Sequence, residues 1–368
     1  MSEKPDRRIG IEAFDCLTAL GNAKQSCEAL LGGTIALKLT PVLGKDGGDL
    51  VPLASSAGYD ETVPPRWEEQ LDRIASILPE GPWGSAKYPV FVTSSNFDVG
   101  SLYAYRNSGN EEYLKIGNAV NSLKHLRERY DWGENALALS HACVTANVGI
   151  EMACRYLDRG VAEKALVFSF DYISPFVAGG FHSLKILNEQ FPAPFQERET
   201  GSIGLGDGAG FVVLSKSDSP YRILSNILYN EMYHFTANDP SGSGFKVGAD
   251  WLKRESGDRS VWIKGHGTGT LEAGRLEAEA FEDSMPDSPL VSWKGSIGHT
   301  LGSCGIVEMA IALASIEGGQ APGTVGSQLP TLTGNVSIEN IDTKKFRAVA
   351  TFSNAFGGAH AGCLIGYE

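Results

Sequence analysis

Three segments place a nucleophile or a base where a strand gives way to a helix. In SHACVTANVGIEMACRYLDRG (140–160) an apolar stretch runs into Cys143, and a helical pattern begins at once. A thiol at a helix N-terminus meets unpaired backbone N–H groups and the positive end of the helix dipole, and both favour thiolate. A cysteine in an apolar run is also an ordinary packing residue, so Cys143 alone leaves both readings open. In IKGHGTGTLEAGRLEAEA (263–280) a strand ends in alternating glycines that frame His266, and a helix starts near Leu271. Neither GxGxxG nor GxxxxGK[ST] is present, which argues against a phosphate cradle and leaves a structural histidine as the competing reading. In SWKGSIGHTLGSCGIVEMAIAL (292–313) glycines lead to His299 and then to another helix, with Lys294 before it and Glu308 after it. Lys294 and Glu308 at one site would pair as a buried charge that sets the field near the histidine; a surface pair beside a packing histidine is the alternative. A fourth segment, FSNAFGGAHAGCLIGY (352–367), reads as a hairpin whose turn sets Phe356 on a hinge of Gly357 and Gly358. Plain hairpin geometry accounts for these glycines equally well.

Positioning these residues falls to an α/β alternation that runs almost the length of the chain. Strands are expected at 8–14, 89–94, 136–140, 165–170 and 209–215, and again at 222–229, 260–264, 289–293, 346–352 and 362–367. Between them lie helices with one apolar face: Ala146, Ile150, Ala153 and Leu157 in 143–158, and Ile306, Met309, Ala310 and Leu313 in 302–316. The two strand sets share a rhythm and break near 216–221, which divides the chain into two related halves, 1–217 with the cysteine and 218–368 with the histidines. Segments 40–66 and 234–258 read as irregular surface excursions.

Composition narrows the field further. The 44 glycines suit many tight strand-to-helix turns. A net charge of −13 argues against nucleic-acid binding through the overall field, and an acidic partner would need a local basic patch. The six cysteines show no CxxC and no zinc-site spacing, so no metal is expected, and five of them read as reduced core thiols. MSEKPDRRIG lacks a signal-like apolar region, and no run is read as approaching the ~18 apolar residues of a membrane helix, which predicts a cytoplasmic protein with no membrane contact.

Taken together, ACVTA with Cys143, GHGTGT with His266, KGSIGHTLGSCG with Lys294 and His299, and SNAFGG occur in an order and at separations that resemble the elongating β-ketoacyl-ACP synthases. The resemblance extends to RIGIEAFDCLTALGNAKQSCEALLGG and PFQERETGSIGLGDGAGFVVL. It implies a thiolase-like fold, two similar halves layered α/β/α/β/α. It implies that Cys143 takes an acyl group from an acyl carrier protein, and that His266 and His299 stabilise the enolate formed when malonyl loses carbon dioxide. Lys294 and Glu308 would support the histidines. The amides of Cys143 and Phe356 would form the oxyanion hole, with Phe356, Gly357 and Gly358 as the gate. No cofactor is implied, because the phosphopantetheine arm arrives on the carrier.

Some features depart from the family pattern. Gly274 stands where an Asp is usual, although Glu277 is retained; the gate is shortened to AFGG; and His360 replaces an Asn, adding a polar group near the pocket or facing solvent. These point to a specialised member of a fatty acid, type II polyketide or aryl polyene system. Two rival readings are a non-catalytic partner resembling a chain-length factor and a condensing-fold acyltransferase or hydrolase. Cys363, in the region where degradative thiolases keep a second cysteine, reads as a strand residue. Arg106, Lys115 and Arg198 are the candidate contacts for the carrier protein, with ordinary solvated charges as the alternative. A homodimer, or a heterodimer with a ketosynthase-like paralogue, is expected, with 165–170 as the interface strand.

Overall fold

The computed structural model describes residues 9–42, 48–56, 58–60 and 67–367. Ten strands line up in one central sheet: β1 (Ile9–Thr18), β2 (Val90–Thr93), β3 (Ala136–Leu139), β4 (Lys164–Asp171), β5 (Gly208–Ser215), β6 (Tyr221–Asn230), β7 (Val261–Lys264), β8 (Leu290–Val291), β9 (Ala348–Ala355) and β10 (Ala359–Tyr367). A two-residue strand, Gly21–Asn22, pairs back onto β1. The spatial order is β8-β7-β9-β10-β6-β1-β5-β4-β2-β3. Outward from the middle, each set of five therefore runs first, fifth, fourth, second, third. The second strand of each set pairs parallel with the third and fourth, and the fifth pairs antiparallel with the fourth and first. Among the described residues, the pairs Ile9–Ile223 and Gly10–Arg222 join the two sets of strands in the sheet. This is the thiolase-like arrangement of two similar halves.

Side-chain alternation along the strands builds the layers, because successive residues point to opposite faces. On β4, Ala165 and Val167 enter the core between the two halves, while Leu166 and Phe168 face a second core on the outside. On β9, Val349 faces the central core, and Ala348 and Ala350 face a third. The central core holds the helices Thr145–Asp158 and Cys304–Gly318, sandwiched between sheet faces. Helices Trp67–Ala75 and Ala119–Tyr130 cover the first half, and Ser243–Ser256 and Leu271–Ser284 the second.

The expected strands match those observed to within a few residues; position 8 lies outside the described residues. Other expectations need correction. Segment 40–66 is not simply irregular: Lys38–Val42 and Asp49–Ala54 pair, and Leu205–Gly206 adds parallel to the latter; residues 43–47, 57 and 61–66 lie outside the description. Segment 234–258 contains the helix Ser243–Ser256. The helix expected at 302–316 is buried on every side from Cys304 to Ser315, because sheets lie against it on two faces. Together with the turn before it, this helix makes Leu301–Gly318 long and apolar enough to cross a membrane, contrary to the sequence expectation, yet 83% of that window is buried inside the protein. Finally, 165–170 cannot pair across an interface: β4 is already paired on both sides, and the strand left with an open edge in this half is β3.

Candidate active site

The cysteine and both histidines emerge from strand ends on the same side of the sheet. After β3 the chain turns sharply at Ala142, whose φ is +47°, a left-handed conformation costly for a residue with a Cβ. Thr145 holds the turn: its hydroxyl accepts the His141 amide at 2.7 Å and donates to the Ala142 carbonyl at 2.6 Å. Cys143 follows, buried immediately before the helix that begins at Thr145.

The His266 loop follows β7. Gly267 has φ +36°, and a Cβ there would lie 2.6 Å from the Ser292 Cβ, so only glycine closes this turn. Both Glu277 oxygens accept from the loop, Oε1 from the His266 amide at 2.5 Å and Oε2 from the Gly267 amide at 2.9 Å. Glu277 therefore fixes the loop, a role its sequence position did not reveal. Burial pushes its pKa up, with the two amides and the nearby lysines opposing.

His299 follows a glycine that also admits no side chain, since a Cβ on Gly298 would lie 2.5 Å from the Leu205 carbonyl carbon. Its backbone is tied to residues 204–206 at both ends: its amide donates to the Gly204 carbonyl and its carbonyl accepts from the Gly206 amide. Nδ1 accepts the Leu301 amide at 2.9 Å and lies 3.2 Å from the Cys304 sulfur. An acceptor at Nδ1 puts the proton on Nε2, so this ring presents a fixed donor. The His266 ring stands edge-on to it, with centroids 5.1 Å apart. Burial first, and then Lys294, His299, Lys264 and His360, hold the His266 pKa well below the usual histidine value, so this ring is neutral at neutral pH.

Behind the histidines lies a charge cluster. Glu308 receives Lys294 on one oxygen and Lys264, a residue not singled out in the sequence, on the other. Neither lysine is exposed. Each also donates to a loop carbonyl, Lys294 to His266 at 2.8 Å and Lys264 to Gly265 at 2.7 Å. Burial opposes the charge on Glu308, but the two lysines outweigh it and hold the carboxyl below its ordinary value. Lys264 is the weaker cation: burial brings its pKa down to about 8, with Glu308 opposing and Lys294 adding to the fall. Burial likewise opposes the charge of Lys294, yet Glu308 holds its pKa above the usual lysine value. A lysine at a strand end ordinarily reads as solvated, so only burial identifies Lys264.

Cys143, His266 and His299 line one cavity of about 230 Å³. Phe181, Ile186, Ile203 and Phe356 give it an apolar wall, and Thr268, Thr270, Asn238 and Asn354 a polar one. Phe356 stacks on Phe181 at 6.0 Å, and the Gly357 amide donates to the Phe235 carbonyl at 2.8 Å. Gly357 and Gly358 both have positive φ. Gly274 also borders the cavity, and a Cβ there would meet only the tip of Leu332 at 3.9 Å, so no packing demand explains this glycine.

Other candidates lie elsewhere. His360 is not solvent-facing: it is buried against Tyr229, 3.0 Å from Asn354 Oδ1 and 3.3 Å from Glu231 Oε2. Cys363 sits on β10 inside the central core. Arg106 and Lys115 are exposed, with Lys115 paired to Glu112, and Arg198 is half-buried, donating to the Phe191 carbonyl. None of these three lines the cavity.

Two thiolase-like halves that meet at a cysteine and two histidines define a condensing-type acyltransferase. Comparison with known proteins agrees: the chain matches the β-ketoacyl synthase N-terminal domain over residues 90–219 and the β-ketoacyl synthase C-terminal domain over residues 229–328. The chain belongs to the β-ketoacyl synthase family. It is 24% identical to the 3-oxoacyl-[acyl-carrier-protein] synthase 2 of Coxiella burnetii, over 81% of this chain and 76% of that protein. It is 28% identical to the ketoacyl synthase alpha subunit of the tetracenomycin polyketide synthase of Streptomyces glaucescens, over 52% of this chain and 50% of that one. Among solved structures, a ketosynthase in complex with its chain length factor from Xenorhabdus doucetiae superimposes with a TM-score of 0.81 at 20% identity, covering all of both chains. A β-ketoacyl synthase from Burkholderia phymatum gives 0.82 at 18% identity, covering 98% of this chain and all of that one.

Proposed function

We propose that the chain is a 3-oxoacyl-[acyl-carrier-protein] synthase that performs a decarboxylative Claisen condensation. The observation that carries this reading is the fixed Nε2–H donor of His299 in the cavity that also contains Cys143. The Cys143 thiolate attacks an acyl thioester on the carrier; the new C–S bond forms as the carrier thiolate leaves. Malonyl thioester then enters, its carboxylate departs as carbon dioxide, and the electron pair moves onto the thioester oxygen as an enolate. His299 and the neutral His266 donate to that oxygen, where charge develops. The enolate carbon attacks the Cys143 thioester, a C–C bond forms, and Cys143 leaves as the thiolate that began the cycle. The carrier thiolate released in the first step takes a proton from solvent, so the whole reaction consumes one proton. The reaction needs no resident cofactor, because the phosphopantetheine arm belongs to the carrier. The amides of Cys143 and Phe356 would hold the tetrahedral oxyanion, and Phe356 with its two glycines would act as the gate.

A carrier protein and a second ketosynthase-like chain, identical or paralogous, are the proposed partners. The relatives with chain length factors support this, as does the open edge of β3, where Leu137 is exposed. A cytoplasmic location belongs to the same proposal. The test is incubation of the protein with acyl-carrier and malonyl-carrier substrates, followed by mass spectrometry of Cys143 and of the carrier-bound product. Acylated Cys143 and a 3-oxoacyl carrier are expected, and Cys143→Ala abolishes both. Product formation unaffected by that substitution sinks the proposal.

A further inference from the structure

Of the five cysteines that read as core thiols in the sequence, Cys304 lies against an active-site ring. It is fully buried, and its sulfur is 3.2 Å from His299 Nδ1. The Thr300 hydroxyl donates to the same sulfur at 3.5 Å. Nδ1 already accepts the Leu301 amide at 2.9 Å, so it presents a lone pair and carries no proton. A sulfur lone pair facing that nitrogen lone pair at 3.2 Å would be repelled, and the approach is attractive only with the thiol hydrogen between the two atoms. Burial pushes the Cys304 thiol up from its ordinary value, with Lys294 the main opposing influence, so the hydrogen is there to give. The chain is built to hold this contact. Leu301 adopts φ +53°, a left-handed conformation costly for a residue with a Cβ, and the turn made there sets its amide on Nδ1 and returns Cys304 to the ring. Glycines on either side press the turn against the first half. A Cβ at Gly302 would lie 2.7 Å from the Ser95 amide nitrogen, and one at Gly305 would overlap Asn147 Oδ1. Cys304 cannot withdraw from His299 without disturbing both contacts.

We propose that Cys304 is a positioning residue for His299: its thiol donates to Nδ1, and the bonds running from the Thr300 hydroxyl through this thiol fix the ring and strengthen Nε2–H as the donor to the enolate. This rests on the condensation reading above. A hydrogen bond received at Nδ1 draws electron density out of the imidazole, and each bond in such a series polarises the next. The benefit falls where charge develops on the enolate oxygen. Loading of Cys143 makes no enolate, so Cys304 matters to condensation and not to acylation.

Neutron diffraction from crystals of the deuterated wild-type protein locates the hydrogen directly. A deuteron on the Cys304 sulfur directed at His299 Nδ1, and another on Nε2, are expected. A Cys304 deuteron directed elsewhere, or a deuteron on Nδ1, overturns the proposal, and this reading needs no variant to fold. In solution, the infrared S–H band of Cys304 is isolated as the difference between wild type and Cys304→Ala. It should lie at lower frequency than that of an unbonded thiol, and a band at the unbonded position is equally fatal. Kinetics then read the consequence, because Cys304→Ala removes the donor while Cys304→Ser keeps one. The kcat of condensation is expected to fall about three- to tenfold in Cys304→Ala and to recover to within about twofold of wild type in Cys304→Ser. The KM for malonyl carrier, and acylation of Cys143 by a small acyl thioester, should stay within about twofold in both variants. Undiminished condensation in Cys304→Ala, a loss that Cys304→Ser fails to restore, or equal loss of acylation and condensation marks Cys304 as packing alone and overturns the proposal. Should the wild type make no condensed product, the condensation reading fails, while the neutron and infrared readings still judge the bond between Cys304 and His299.

Discussion

The loop after the third strand of the first half carries Cys143, and the loop after the third strand of the second half carries His299. The topology is the same on both sides, yet the buried charged groups behind the two loops differ. In the first half, the ends of β2 and β4 gather Asp98 and Asp171, both buried. Asp171 is well satisfied, accepting Ser94 Oγ at 2.7 Å and the amides of Ser95 and Asn96. Asp98 accepts from Ser101 on one oxygen, and its other oxygen has no hydrogen-bond partner among the described residues. Burial brings the Asp171 pKa up to about 6, with those bonds opposing, and that of Asp98 up to about 7, with Ser101 opposing and Asp171 adding. In the second half, the end of β7 and the turn after β8 gather Lys264 and Lys294 around Glu308. A repeated backbone thus supplies repeated positions, while the buried charge assigns them different work: a nucleophile in one half, and oxyanion chemistry in the other.

Removing the charge balance of the second half should have the largest effect. Glu308→Gln removes the carboxylate that pairs with both buried ammonium groups, and the expected loss is about 3–5 kcal/mol of unfolding free energy. A loss under about 1 kcal/mol by urea denaturation would mean that the cluster is solvated and the contrast between the halves is false. His299→Ala is next, with condensation falling about 10²–10³-fold. Cys143 acylation should persist, and equal loss of both steps, read by mass spectrometry of the enzyme, would erase the division of labour.

The smallest effect concerns the first half, through Asp98→Asn. The folded-state pKa of Asp98 is raised, so between about pH 4, where the unfolded chain ionises, and about 7 the folded state binds more protons than the unfolded. Wild-type stability is therefore lost as pH rises through that window. The variant lacks this penalty and should gain about 1–3 kcal/mol on the wild type between pH 5 and pH 8. A pH-independent difference would show that Asp98 ionises as freely as an exposed carboxylate.

Much of this was legible in the sequence. The ten strands declared themselves because each is a short apolar or alternating run closed by turn residues, as in ALVFSF on β4. The paired Lys294 and Glu308 were also expected. What escaped were contacts that no local pattern encodes. The helix Ser243–Ser256 was obscured by Gly244 and Gly248, which lower helix propensity. Gly244 is nevertheless required, since a Cβ there would lie 2.5 Å from His360 Nε2. The small sheet of Lys38–Val42 and Asp49–Ala54 was masked by Pro41 and Pro52, residues that strands seldom hold outside their edges. Lys264 and the burial of His360 depend on segments distant in sequence, and a single strand cannot announce them. The interface strand was misplaced for a related reason: an apolar run does not say whether its neighbours on both sides are already taken.

The helix Cys304–Gly318 has a consequence for the order of synthesis. Its shelter comes from both halves, and part of it, β9 and β10, is translated only after the helix itself. When residue 318 leaves the ribosome, a segment long and apolar enough to cross a membrane is therefore out with some of its cover still to emerge. Until β9 and β10 emerge, the nascent chain presents the kind of surface that chaperones and insertion machinery bind. A stop codon ahead of β9 would leave this helix covered by β1, β5 and the helix Thr145–Asp158 but bare where β9 and β10 belong.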